Sequence, residues 1–182
     1  MRISFSGRDI PNILTIIRVL ISPIVYILFS IGNPTVDRIT AFIFIIGAIT
    51  DMLDGLIARR MDASSDFGKI VDPVADKLFM FSALLPFVAR GIIPSFILYV
   101  IFFRDMIIMA LRNLVASRGI TTHSDIMGKI KTFVLFLSVC IYPFGYDRYA
   151  VYGFYLGALI SLVSGVNYSV KYVKLLTGGE NV

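Results

Sequence analysis

Tryptophan is absent from this chain of 182 residues, and cysteine and histidine occur once each. The lone thiol, Cys140, cannot form an intrachain disulfide, which excludes a disulfide scaffold and argues against redox chemistry. His123 stands in the polar loop Thr121-Thr122-His123-Ser124-Asp125 with no second imidazole nearby, the setting of a surface residue rather than a metal ligand. Charge is scarce as well. Only 16% of residues are Asp, Glu, Lys or Arg, against about a quarter in soluble domains, and 57% are hydrophobic. That balance excludes a disordered chain and most soluble enzymes, because a soluble surface could not hide so much hydrocarbon. A mean hydropathy of +0.85 points instead to an integral membrane protein with several helical spans. Without Trp, an aromatic belt falls to the 9 Tyr and 15 Phe.

Six apolar runs are long enough to predict an all-α, polytopic bundle: Ile13–Ile31, Ile39–Ile57, Val74–Ala89, Pro94–Val115, Thr132–Tyr146 and Tyr149–Val170. Turn-forming or polar stretches separate them, at Gly32-Asn33-Pro34, Asp62–Asp66, Arg90-Gly91, Arg118–Asp125 and Gly145–Arg148. No linker, low-complexity segment or internal repeat interrupts the pattern, so a single membrane domain over residues 1–182 is expected. Arg2 and Arg8 imitate the basic start of a signal peptide. Arg18 interrupts the apolar segment and no small-residue cleavage site follows, which favours a retained first span.

Basic residues exceed acidic ones by 17 to 12, a net charge of +5. They lie mostly between apolar runs, which suits an anionic lipid surface better than nucleic acid. Thirteen fall on the side of the N-terminus, three (Arg38, Arg90, Arg148) on the other, and Arg104 within a span. By the positive-inside rule both termini and the two longer loops are cytoplasmic.

The informative acids sit at span ends. The second span closes with Asp51-Met52-Leu53-Asp54-Gly55-Leu56-Ile57-Ala58-Arg59, and the third opens with Gly68, Asp72 and Asp76 at four-residue intervals. On helices, Asp51, Asp54, Gly55 and Ala58 share a sector of about 100°, and Gly68, Asp72 and Asp76 share a stripe. Two helices joined by a cytoplasmic turn therefore aim four carboxylates at one point. Such a group repels itself unless cations neutralise it, and oxygen-only ligands favour hard ions such as Mg2+, Mn2+ or Ca2+. Two such ions suit displacement at phosphorus. Gly55, Ala58 and Gly68 leave room beside them for an extended ligand. Asp62 and Asp66 belong to the polar turn and read as solvated. Pro73, directly after Asp72, suits the first turn of the third helix; deeper in the helix it would disturb the stripe.

Asp51-x-x-Asp54-Gly55-x-x-Ala58-Arg59 followed by Gly68-x-x-x-Asp72-x-x-x-Asp76 resembles the signature of the CDP-alcohol phosphatidyltransferases, eight positions at the family's spacing. Pro11-Asn12-x-x-Thr15-x-x-Arg18, Arg104-Asp105, Ala110-Leu111-Arg112 and Gly128-Lys129-x-Lys131-Thr132 extend the likeness over roughly residues 9 to 170. Asp105 departs from it, since Glu is expected there. The resemblance implies a six-span homodimer that attacks the β-phosphate of CDP-diacylglycerol with an alcohol and releases CMP. It implies two divalent cations, Mg2+ or Mn2+, on Asp51, Asp54, Asp72 and Asp76, with Asp76 also the general base. Asn12, Thr15, Gly55, Ala58, Arg59 and Gly68 would line the CDP pocket.

Arg104, inside the fourth span, needs a cavity or a partner. Asp105 is its neighbour in sequence, and adjacent positions on a helix do not face each other, so each is expected to find a different partner. With Arg112, Lys129 and Lys131, Arg104 makes a basic set suited to a phosphorylated acceptor, by bidentate contact where guanidinium is used. Glycerol 3-phosphate is the expected acceptor, with inositol phosphate, serine or phosphatidylglycerol as alternatives. A divalent-cation transporter is the competing reading from another class, and it gives no role to Gly55, Ala58 and Arg59.

Overall fold

Helices begin and end where Gly, Asn and Pro dictate. The computed structural model describes residues 10–61, 66–118 and 126–176, with side chains over 14–50, 71–118 and 126–176. Within them lie six α-helices: α1 Ile10–Ser30, α2 Pro34–Met61, α3 Asp66–Ala89, α4 Ser95–Ser117, α5 Ile126–Ile141 and α6 Asp147–Leu176. A short 3-10 turn, Tyr142–Phe144, follows α5. No strand occurs among the described residues. Gly32, Gly91 and Gly145 all have positive φ, at 71°, 70° and 88°, and mark three of the expected breaks. Asn33 caps α2, its side-chain oxygen accepting from the backbone N–H of Thr35 at 2.9 Å, with Pro34 at the first helical position.

One boundary bears directly on the site. α3 starts at Asp66, so Pro73 lies well inside the helix rather than in its first turn. The apolar run that suggested a start near Val74 is only the inner part of a longer helix whose first two turns mix charged and apolar residues. Gly68, Asp72 and Asp76 consequently belong to one helix. Pro73 withholds its backbone donor from the carbonyl four residues back.

By packing, the chain divides into two units, Met1–Arg90 and Gly91–Val182. In the first, α1 packs against both α2 and α3. Thr15, Arg18, Ser22, Val25 and Phe29, at spacings of three and four, form the buried stripe of α1. The stripe is polar in its first half and apolar in its second. α3 repeats the arrangement, with Asp72 and Asp76 ahead of Phe79, Ala83 and Phe87. Thr15 meets Asp72, Arg18 meets Asp76, and the Phe29 and Phe87 rings sit 5.5 Å apart. The sequence offset is 57 or 58 in all three contacts, so α1 and α3 run parallel in constant register. Phe79 also stacks on Phe44 of α2 at 4.8 Å, over Gly47, where a Cβ would come within 2.7 Å of the Phe79 ring. Arg90 closes the end remote from the aspartates, donating to the buried Asp37 carboxylate at 2.7 Å and to the Phe29 carbonyl at 3.2 Å.

In the second unit α6 is the central helix, packed on α4 and α5. Small residues, among them Ala150, Gly153, Gly157, Ser161, Ser164 and Gly165, line its contact faces beside the buried Phe154 and Tyr172. A Cβ on Gly153 would lie 2.0 Å from the Ser138 hydroxyl, and one on Gly157 2.5 Å from a Leu135 methyl. Helices without a hydrophobic drive to associate gain attraction by such close approach. Ser138 and Ser161 return their hydroxyls to carbonyls of their own helices, at 2.7 and 2.8 Å. Gly157→Val is expected to destabilise the protein by about 1–3 kcal/mol through overpacking, visible as a lower melting temperature in detergent; an unchanged temperature would contradict this packing.

Candidate active site

α3 presents two carboxylates one turn apart, and α1 holds both. The Thr15 hydroxyl donates to Asp72 Oδ1, and Arg18 Nη1 donates to Asp76 Oδ1 at 3.0 Å. Arg18 is only 5% exposed, whereas the Asp76 side chain is 44% exposed. The pair is therefore anchored from inside the helix packing and open on the carboxylate side. A buried guanidinium that grips one carboxylate oxygen fixes the orientation of the whole group, and a positioned base requires that orientation. Arg18 is itself oriented by its backbone, whose carbonyl accepts from Ser22 Oγ at 2.8 Å.

Asp51, Asp54, Gly55, Ala58 and Arg59 occupy positions on α2, and Gly68 one on α3, so the helical spacing required of the motif is present. The side chains of these residues and of Asn12, and the whole of Asp62 and His123, lie outside the described residues. Among the described residues no three His, Cys, Asp or Glu side chains come together. Among the described side chains, Asp72 and Asp76 supply oxygen donors at one-turn spacing. That donor chemistry suits a hard divalent cation and not a thiophilic one.

The basic set divides. Arg112 and Lys129 are exposed, on α4 and α5. Arg104 and Lys131 are buried and meet at one carboxylate, that of Asp105. Lys131 Nζ donates to its two oxygens at 2.6 and 2.7 Å, and Arg104 Nη1 donates to Oδ1 at 3.1 Å. The expectation that neighbours 104 and 105 take different partners is thus corrected. Two residues 100° apart on a helix point away from each other at Cβ, but the arginine arm is long enough to turn back. Gly165 of α6 gives that arm room: a Cβ there would stand 3.0 Å from Arg104 Cγ.

Two residues carry more of the site than their sequence context suggested. Arg18 looked like an orientation charge breaking an apolar run, and Asp105 like a substitution in a motif. For each, the available signal was an ionisable group inside a span, which demands a partner.

The family model described as CDP-alcohol phosphatidyltransferase matches residues 8–166. The chain is 33% identical over 171 residues to a Haemophilus influenzae protein named CDP-diacylglycerol–glycerol-3-phosphate 3-phosphatidyltransferase, covering 88% of this chain and 91% of that one. A Bacillus subtilis protein of the same name is 32% identical over 143 residues, 72% of this chain and 74% of the relative. Among solved structures, Mycobacterium tuberculosis phosphatidylinositol phosphate synthase with CDP-DAG bound superposes with a TM-score of 0.69 at 17% identity, over 89% of this chain and 85% of that one. The same enzyme in complex with manganese and citrate gives 0.67 at 16% identity, over 89% and 81%. These two likenesses concern the fold. With its signature spaced along α2 and α3 and the family match running over most of its length, the chain belongs to the CDP-alcohol phosphatidyltransferase family.

Proposed function

We propose that this chain transfers the phosphatidyl group of CDP-diacylglycerol to sn-glycerol 3-phosphate, releasing CMP and forming phosphatidylglycerophosphate. The observation that carries the reading is the α1–α3 register, which presents Asp72 and Asp76 of the family signature side by side, each gripped from α1. Relatives bearing that activity in their names, at 32 and 33% identity, support the acceptor. Asp51, Asp54, Asp72 and Asp76 hold two divalent cations, Mg2+ or Mn2+. When bound, these withdraw charge from the pyrophosphate and stabilise departing CMP. Asp76 accepts the proton of the acceptor hydroxyl, with Arg18 keeping its carboxylate in place. Asn12, Thr15, Gly55, Ala58, Arg59 and Gly68 receive the CDP moiety, where small residues let a flat ligand approach the backbone. Arg104, Arg112, Lys129 and Lys131 receive the acceptor phosphate.

The whole chain acts as one catalytic domain, as a homodimer, in the bacterial plasma membrane with both termini and the active site facing the cytoplasm. Ile126–Phe144 and Asp147–Leu176 are long and apolar enough to cross a membrane, with mean hydropathies of 1.5 and 1.6. Leu20, Phe42, Ile46, Phe96, Phe133, Tyr149, Tyr152 and Val166 are each more than half exposed, a surface suited to lipid rather than water. At 30 residues and about 1.5 Å of rise per residue, α6 exceeds a hydrocarbon core of about 30 Å. It therefore projects beyond the bilayer, carrying Lys171 and Lys174 in the proposed cytoplasmic headgroup zone.

The test is CMP release by purified protein given CDP-diacylglycerol, Mg2+ or Mn2+, and a panel of glycerol 3-phosphate, inositol phosphate, serine and phosphatidylglycerol. Release with glycerol 3-phosphate is expected. Release with inositol phosphate alone would move the assignment within the family, and none with any acceptor would end it. Chelation with EDTA is expected to abolish release, and added Mn2+ to restore it; full activity in excess chelator would rule out the carboxylate-bound cations.

A further inference from the structure

A hydroxyl inside a helix can return its proton to its own backbone, and several in this chain do so. Ser22, Thr40, Thr132, Ser138 and Ser161 each donate to the carbonyl four residues back, at 2.7–2.9 Å. Thr15 donates across the helix interface, from α1 to Asp72 Oδ1 on α3. It is 5% exposed, so its hydroxyl is held within the α1–α3 packing, and a β-branched side chain on a helix has few rotamers by which to leave. The carboxylate that it holds belongs to the signature, one turn from Asp76 on the same helix. Further contacts hold the two helices at that register: Arg18 meets Asp76 at nearly the same offset, and the Phe29 and Phe87 rings pack 5.5 Å apart towards the other end. A hydroxyl is a neutral donor, so it fixes one oxygen of Asp72 without supplying a countercharge.

Resting on the proposed cation site, we infer that Thr15 is the positioning residue of Asp72: it serves the CDP pocket through that carboxylate, by setting how tightly a divalent cation is held. It touches no reacting atom. A carboxylate that must settle from several orientations to meet a cation loses conformational freedom on binding, whereas one already fixed by a hydrogen bond has lost it during folding. Asp72 is half-buried and Thr15 is buried, so the hydroxyl approaches from the packed side while the carboxylate borders the open one. Loss of the hydroxyl therefore weakens cation affinity first. It affects the nucleotide only as far as the cation is missing, and excess cation makes good the loss.

The experiment titrates the whole chain, purified in detergent, with Mn2+ alone and follows free Mn2+ by electron paramagnetic resonance. The melting temperature and the KM for CDP-diacylglycerol are measured beside it. Thr15→Val keeps the shape and loses the hydroxyl. It is expected to weaken Mn2+ binding by roughly tenfold to a hundredfold, the usual scale when the partner of a metal-binding carboxylate is removed. Its KM for CDP-diacylglycerol is expected to rise at limiting Mn2+ and to return to the wild-type value at saturating Mn2+. Thr15→Ser keeps the hydroxyl and is expected to hold Mn2+ nearly as wild type does. If Thr15→Val does not fold, Thr15→Ser and Thr15→Ala supply the same comparison, since they differ from each other only in the hydroxyl; Thr15→Ala is then the weaker binder. Wild-type Mn2+ affinity in a folded Thr15→Val or Thr15→Ala overturns the inference. So does a KM for CDP-diacylglycerol that stays raised at saturating Mn2+, the mark of direct contact with the nucleotide. Absence of Mn2+ binding by wild type is a separate outcome: it removes the proposed cation site, and this inference with it.

Discussion

Asp76→Asn is expected to lower CMP release by about 10²–10⁴-fold, the contribution of a positioned general base, while CDP-diacylglycerol still binds. Asparagine has nearly the shape of aspartate, and its carbonyl oxygen can still accept from Arg18 Nη1 across the 3.0 Å contact. The α1–α3 packing therefore survives, whereas the variant has no carboxylate to take the hydroxyl proton or to help hold a cation. The measurement pairs single-turnover CMP release with binding of the CDP-lipid to detergent-solubilised protein. Equal CMP release by variant and wild type would remove Asp76 from the mechanism.

Arg18→Leu carries the second large effect, a loss of roughly 10–100-fold in activity, typical of removing the partner that orients a metal-site carboxylate. The exposures of the two residues decide how to interpret that loss. Removing the carboxylate would take an anionic partner away from a buried guanidinium, which is unfavourable in a low-dielectric setting. Removing the guanidinium instead acts on a carboxylate that is 44% exposed and that water can reach. The fold should therefore tolerate Arg18→Leu much better than it would tolerate Asp76→Leu, so that lost activity reflects a misaligned Asp76 and not unfolding. Arg18→Lys should fall between, since an ammonium keeps the charge but not the planar reach. Wild-type kcat/KM in Arg18→Leu would show that Asp76 needs no help from α1.

The six helices could be read from the sequence because their ends are written in local chemistry. Gly32-Asn33-Pro34 supplies a positive-φ stop, a cap and a first-turn proline within three residues, and Gly145 supplies a positive-φ stop before α6. The start of α3 was not legible in the same way. Hydropathy registers only a sustained apolar run, and residues 66–72 mix Asp and Lys with Phe, Ile and Val; the four-residue spacing of Gly68, Asp72 and Asp76 was the better guide. Within the candidate site, the ligand types and their helical faces followed from spacing, because periodicity is a local property. The partners did not. Nothing near Arg18 indicates that its carboxylate lies 58 residues further on. Arg104 and Asp105 failed in the opposite sense: the rule that helical neighbours diverge holds at Cβ and loses force for a side chain as long as arginine. Gly165, which looks like a helix weakness in the sequence, has its reason only once Arg104 is seen against it.

The constant offset between α1 and α3 has a consequence for biogenesis. Arg18 leaves the ribosome 58 residues ahead of Asp76, an interval of about 3–12 s at 5–20 residues per second. In the proposed membrane setting, the first span must wait through the synthesis of a complete hairpin before its cation meets the Asp76 carboxylate, and an arginine within a span is costly in lipid. α1 is then expected to linger at the insertion machinery until α3 arrives and to enter the bilayer with it as a pair. Truncating the nascent chain before Asp76 would leave α1 extractable by alkali, and extending it past Ala89 would anchor it.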